Sequence, residues 1–241
     1  MSAYDNIAWY YKRFSNIFFD KRLILRFLKK AFLDFGISKR ARMLDVGCGT
    51  GAILRSLAQR GFKKLYGIDL SKQMIKFAYA TGSSFNVRLY NKDFLDFAPR
   101  NKFDVILSTV DVLNHLNRKD MLEYLKNVKR LLKRDGVFIF DLNTPEYLEK
   151  LSKRKKSVKR VEDILFVWRF KKRKRKVIID FSVFDTKKTV HERVTQYIYT
   201  EKEIEKLLKK SKFAVVKKIY DYKSPIKTSF FTKVCYVCKK I

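Results

Sequence analysis

Leu44-Asp45-Val46-Gly47-Cys48-Gly49-Thr50-Gly51 is the stretch that decides the fold. It opens as the tail of a short apolar run, residues 42–47 (RMLDVG), which reads as a buried strand. It closes where apolar residues take up helical spacing, from Thr50 to Arg60, with Gly61 as the stop. Glycines between a strand and a helix permit a tight turn and let a ligand touch backbone N–H groups at the helix start. An acid, Asp69, follows at the end of the next strand, 20 residues after Gly49. That spacing suits hydrogen bonds to ribose hydroxyls. The glycines alone are a weak signal; the strand, the helix and the acid around them make it a strong one for a nucleoside site.

Outward from this loop, strands and helices alternate. Lys64–Ile68 reads as a strand, and Ser71 caps a helix through Ala80. Val87–Tyr90 is a weak strand and Phe103–Ser108 a strong one; Lys119–Leu132 is a helix and Gly136–Asp141 a strand. That order implies βαβ units and a parallel sheet covered on both faces. Upstream, residues 16–36 carry apolar positions at helical spacing, with Ser15 or Asn16 able to cap the start and Gly36 the end. After about residue 160 the pattern changes. Ile164–Phe170, Val177–Asp185 and Thr189–Tyr199 read as three consecutive strands, an antiparallel meander expected to extend the sheet as a lid. Thr200 then caps a helix over Glu201–Lys210, and Ala214–Tyr222 and Phe231–Lys239 close the chain as strands.

Composition narrows the class. The 241 residues are 46% hydrophobic and 33% charged, which excludes a disordered chain. No apolar run approaches the ~20 residues that span a bilayer. Met1–Tyr11 lacks the basic-apolar-small pattern of a signal peptide. Three cysteines, Cys48, Cys235 and Cys238, make no disulfide framework, so a reducing cytoplasm is expected. Cys235 and Cys238 sit three apart on a strand, facing opposite ways, so no metal site is expected. The formal net charge is +32, and residues 151–241 hold 28 basic against 9 acidic side chains. Two basic runs, Lys153–Arg160 and Lys171–Lys176, concentrate it. They read as solvated loops or as a surface for a polyanion such as nucleic acid.

Asp45 narrows the ligand. A carboxylate two residues before the first glycine would repel a dinucleotide's pyrophosphate and favour a ligand with a cationic amine, such as S-adenosylmethionine. LDVGCGTG with the following GIDLSKQMIKFA resembles the seven-stranded, class I S-adenosylmethionine-dependent methyltransferases, over roughly residues 40–145. The resemblance implies an α/β fold: a Rossmann-like, doubly wound, mostly parallel seven-stranded sheet with an antiparallel β lid in the C-terminal part. It divides the chain into a helical segment (1–36), a cofactor-binding core (37–150), the basic lid (151–199) and a last helix with two closing strands (200–241). It also implies that Asp45, Gly47, Gly49, Thr50 and Gly51 surround the methionine part of the cofactor. Asp69 would then bind the ribose, with Leu70 and Met74 flanking the adenine. Asp93 and Phe94 match the adenine-edge position, and Ser108 and Thr109 lie beside the cofactor. Lys133-Arg134-Asp135-Gly136 stands where the family has a Pro-Gly-Gly turn. Ala8-Trp9-Tyr10-Tyr11-Lys12 resembles the entry segment of the small-molecule branch, with Lys12 in place of its Asp; Tyr11 is thereby a substrate-binding candidate.

Methyl transfer from a sulfonium needs alignment and exclusion of water, and a base only when the nucleophile arrives protonated. The exit of the fourth strand reads Ser108-Thr-Val-Asp111-Val-Leu-Asn-His115. It lacks the Asn/Asp-Pro-Pro-aromatic pattern of DNA amino-methyltransferases and the Pro-Cys pair of cytosine C5 enzymes. Asp111 and His115 are the candidate bases and Asn114 a substrate-orienting amide; His191, in the meander, reads as a surface cross-strand partner. The expected acceptor is an N or O atom of a small molecule. RNA held by the basic C-terminal part is the alternative acceptor, and a non-catalytic nucleic-acid-binding protein is the alternative class.

Overall fold

The computed structural model describes residues 4–11, 20–82, 85–226 and 231–241. Helix α1 (Lys21–Asp34) buries Ile24, Leu25, Phe27, Leu28, Ala31 and Phe32, the stripe its spacing dictates. Asp20 caps it, accepting from the Arg22 N–H at 2.8 Å; the expected caps Ser15 and Asn16 lie outside the described residues. Strand β1 (Arg42–Val46), helix α2 (Ala52–Gln59), β2 (Lys64–Asp69), α3 (Lys72–Gly82), β3 (Val87–Asn91), β4 (Phe103–Ser108), α4 (Arg118–Leu131) and β5 (Leu132–Asn143) follow in alternation. Then come α5 (Pro145–Arg154), β6 (Lys156–Val161), β7 (Ile164–Arg173), β8 (Lys176–Phe184), β9 (Thr189–Tyr197), α6 (Glu201–Lys210), β10 (Phe213–Tyr220) and β11 (Lys233–Lys240).

Seven strands form one sheet in the order β10-β11-β5-β4-β1-β2-β3. β3, β2, β1, β4 and β5 run parallel, and β11 is antiparallel to both of its neighbours. Both faces are covered. Leu44, Val46, Ile106, Phe138, Phe140 and Tyr236 meet α4 and α6 on one side. Met43, Leu65, Val105, Val137, Ile139 and Val237 meet α1 and α2 on the other. This is the doubly wound arrangement, and the chain reverses direction at β1 and β4, where such folds open a ligand crevice beyond the carboxyl ends of the strands.

Five details depart from the sequence reading. The meander does not extend the main sheet; it forms a sheet of its own, ordered β6-β7-β8-β9. It has four strands, because most of the basic run Lys153–Arg160 lies in β6. The other run, Lys171–Lys176, is the β7–β8 hairpin rather than a loop. Helix α5 was absent from the reading, although Thr144 caps it and Pro145 opens it. Lys133–Gly136 makes no separate turn. It bulges from β5, where Phe103 pairs with Leu132 and Val105 with Val137, and Lys133 Nζ reaches Asp104 at 2.7 Å.

Strand register assigns the lid's two faces. Trp168, Phe170, Ile179, Phe181, Glu192, Val194 and Gln196 share the inner face, packed with Ile7, Tyr10 and Leu148. Lys156, Arg160, Arg169, Lys171, Arg173, Lys176 and Arg193 share the outer one.

Candidate active site

The glycine loop is built as a cradle. Gly47, Gly49 and Gly51 have φ of +71°, +52° and +71°, which L side chains rarely adopt. A Cβ on Gly47 would lie 2.6 Å from Val112, so the loop after β4 packs directly on the cradle. Asp69, at the end of β2, accepts from the Gly49 N–H at 2.8 Å and from the Ser71 N–H at 2.9 Å. Each carboxylate oxygen is thus aimed by a backbone N–H and keeps a lone pair for a ligand. Burial raises the Asp69 pKa, and the bonds from Ser71 and Gly49 oppose that.

Asp45 ends β1 only 3% exposed and makes no side-chain hydrogen bond among the described residues. Burial, and secondarily Asp69, pushes its pKa up to about 8. A buried carboxyl with no partner is costly unless a cation meets it. The ammonium of S-adenosylmethionine is such a cation, and the Asp69 oxygens suit its ribose hydroxyls, so these residues fit that cofactor. Leu70 is exposed beside them, as is Asp93, one of whose oxygens accepts from Leu95 N–H at 2.9 Å. The other residues assigned to the cofactor have side-chain contacts of their own. Phe94 is buried against Tyr124, ring centroids 4.6 Å apart. Met74 is a core residue of α3. Ser108 Oγ donates to the Val46 carbonyl and bonds the Tyr124 hydroxyl, and Thr109 is buried. The Thr50 carbonyl accepts from Arg55.

A cleft of roughly 1000 Å³, counting its open mouth, lies between the exits of β4 and β5 and the lid. Tyr4, Ile7 and Tyr11 form one wall, Val110, Asp111, Asn143 and Lys233 the floor, and the lid's inner face the roof. Asp69 and Asp111 both raise the pKa of Tyr4 and Tyr11, after burial, so the tyrosines stand between the two acids.

The floor depends on an unusual backbone. Val110 and Asp111 are consecutive non-glycine residues in the left-handed region, φ +66° and +55°. The buried Asp141 carboxylate holds both, accepting from Val110 N–H at 2.6 Å and Asp111 N–H at 2.7 Å. Lys233 Nζ donates to Asp111 at 2.9 Å, Asn143 at 2.8 Å and Asp141 at 3.3 Å. Gln196 donates to the other Asp111 oxygen at 2.5 Å. Burial pushes the Asp111 pKa up, but Lys233, His115 and the bonds from Lys233 and Gln196 outweigh it and hold the group below the usual carboxylate range. Asp111 is therefore an anchored anion, not a base.

His115 Nδ1 lies 3.0 Å from the Thr195 carbonyl, which only accepts, so Nδ1 carries the proton. Nε2 is then an acceptor, and the Tyr4 hydroxyl, 3.1 Å away, donates to it. Burial lowers the His115 pKa, with Asp111 pulling the other way. The imidazole reaches the cleft through Tyr4. Asn114 is buried and bonded to backbone at Asn143 and Tyr197, which fixes the loop and takes the amide away from a substrate. His191 pairs with Ser182 across β8 and β9, Nδ1 to Oγ 2.8 Å, on the outer face. Cys235 and Cys238 are buried in β11.

Sequence reasoning missed Tyr4, Asp5, Glu192, Gln196 and Lys233. Asp5 accepts from Ser71 Oγ at 2.6 Å, beside the Asp69 carboxylate. Lys12, noted beside Tyr11, lies outside the described residues. No helix among the described residues is long and apolar enough to cross a membrane.

Comparison with known proteins agrees with this geometry. Residues 43–136 match a family model described as a methyltransferase domain. A putative methyltransferase of Bacillus subtilis is 32% identical over 57% of the chain, and the match spans 56% of that relative's length. An uncharacterised protein of Methanocaldococcus jannaschii is 31% identical over 97% of the chain and 82% of its own length. A crystal structure of an S-adenosylmethionine-dependent methyltransferase from Clostridium acetobutylicum superposes with TM-score 0.86, 25% identity and 99% coverage of both chains. With cradle, paired acids and sheet order in agreement, the chain carries a methyltransferase domain and has the fold of an S-adenosylmethionine-dependent methyltransferase.

Proposed function

We propose that this protein transfers a methyl group from S-adenosylmethionine to an N or O atom of a small molecule. The observation that carries the reading is the cleft. Its wall tyrosines, Tyr4 and Tyr11, feel the Asp69 carboxylate, it is roofed by apolar and aromatic side chains, and none of the residues of the two basic runs lines it. The cofactor supplies an activated methyl on a sulfonium. Asp45 holds its ammonium and Asp69 its ribose. The roof excludes water and Tyr11 orients the acceptor. Tyr4 takes the acceptor's proton as its own moves to His115 Nε2, and the ionised Asp111 stabilises the resulting imidazolium. Asp111 thus acts through His115, as a positioning residue.

The test is incubation of the purified chain with radiolabelled cofactor and cell extract, followed by separation of RNA, protein and metabolites. Label in the metabolite fraction is the expected result. Label confined to RNA overturns the small-molecule reading, and label nowhere, with the cofactor unbound in calorimetry, overturns the enzyme.

A further inference from the structure

The charge inside the cleft opposes the charge of the chain. Against a formal +32, the described lining residues hold two carboxylates, Asp111 and Glu192, and one cation, Lys233. Lys233 is spent. Its three N–H bonds go to Asp111, Asp141 and Asn143, so it has no donor left for an anionic substrate. Asp111 is likewise engaged at both oxygens, by Lys233 and Gln196. Glu192 is different. Asn6 Nδ2 donates to its Oε1 at 2.7 Å, while Oε2 makes no hydrogen bond among the described residues.

Register places Glu192 in a row across the roof. Trp168 pairs with Phe181, and Phe181 with Glu192. The two rings stack with centroids 5.0 Å apart. A carboxylate beside aromatic rings attracts a cation twice, by charge and by the ring quadrupole. Around the row lie Ile7, Leu151, Phe170, Ile179 and Val194, which suit an uncharged hydrocarbon body.

We infer that the acceptor is an amine carried on an apolar body, entering as its ammonium, and that Glu192 selects it. This rests on the methyltransferase reading above. The ammonium gives one proton to Tyr4 as the Tyr4 proton passes to His115. The freed nitrogen lone pair forms the C–N bond while the C–S bond breaks, and that bond's electron pair stays on sulfur. The product is the N-methyl ammonium, with S-adenosylhomocysteine as the other product. Glu192 touches the substrate's charge and not the cofactor, so it sets specificity.

Calorimetry on the full chain tests this with three probes of one shape: 2-phenylethylamine, 2-phenylethanol and 3-phenylpropionate. The amine should bind at least about tenfold more tightly than the alcohol, and the carboxylate least. Glu192→Gln should remove most of the amine's advantage while binding S-adenosylmethionine as the parent does, which certifies its fold. With radiolabelled cofactor, the parent should methylate the amine and not the alcohol. Equal or tighter binding of alcohol or carboxylate, no amine binding at millimolar concentration, or an unchanged preference in Glu192→Gln overturns the inference. Failure of the parent to bind S-adenosylmethionine would instead remove the methyltransferase reading itself, so the two failures are separable.

Discussion

Asp45 is the residue whose protonation the cofactor should move. Its carboxyl, buried and without a hydrogen-bond partner among the described residues, is pushed up to about 8, so it carries a proton at pH 7. A cation placed beside it favours the ionised form. Binding at pH 7 should therefore release a proton. Affinity should rise toward pH 8, by up to about tenfold per unit, and level off above. Calorimetry in buffers of differing ionisation enthalpy reads that proton, and Asp45→Asn should abolish both the release and the slope. Stability of the unliganded chain runs the other way. An acid whose folded pKa exceeds its unfolded value of about 3.9 binds more protons when folded. Its contribution is intact below pH 4 and is lost between about pH 4 and 8, so Asp45→Asn should also raise Tm near pH 8. A flat pH profile for cofactor affinity would contradict the assignment.

At the scale of elements, Lys233 joins four of them. From the start of β11 it reaches the β4 exit at Asp111 and the end of β5 at Asp141 and Asn143. Gln196 of β9 closes the circle by bonding Asp111 and accepting from Asn143. Lys233→Met would leave two buried carboxylates facing one another. The expected loss is about 3–5 kcal/mol, a fall in Tm on the order of 10 °C for a chain of this size. Thermal unfolding of Lys233→Met beside the double variant Lys233→Met/Asp111→Asn reads it, the double variant recovering part of the loss. This network was invisible in the sequence because nothing local marks it. Asp111 and Lys233 are 122 residues apart, and Tyr4 and His115 are 111. The glycine loop and Asp69 were legible for the opposite reason: their geometry is fixed by neighbours within one crossover. Strand β6 stayed hidden because its lysines and arginines interrupt the apolar alternation that marks a strand. The contact of Phe94 with Tyr124, 30 residues on, is likewise beyond what local sequence marks.

For the whole molecule, the lid separates two chemistries on opposite faces of one sheet. Inward lie the aromatic rings and Glu192, with Lys159 and Lys172 beyond the cleft lining; outward lie seven basic side chains against Asp180, which Arg193 already pairs at 2.5 Å. The sequence displayed the charge but not its side, because the pairing of β6 with β7 and of β7 with β8 decides which parity faces out. The outward basic residues share no position with the cleft lining, and such a face favours polyanions by charge alone. Retention on a heparin column should fall steeply with salt. Reversing Lys156, Arg169 and Lys171 to Glu should weaken retention and leave methylation of a small amine within about twofold. A parallel loss of amine methylation would tie the outer face to the reaction.

The two left-handed residues at the β4 exit make durability and aim pull apart. Val110 is β-branched and poorly suited to φ +66°, at a cost of about 1–3 kcal/mol for such a residue. A glycine there would ease the chain and give a hardier fold. It would also let the floor wander, and with it the Asp111 carboxylate. Val110→Gly is therefore expected to gain Tm and lose turnover, which thermal unfolding and methyl transfer to the amine read together.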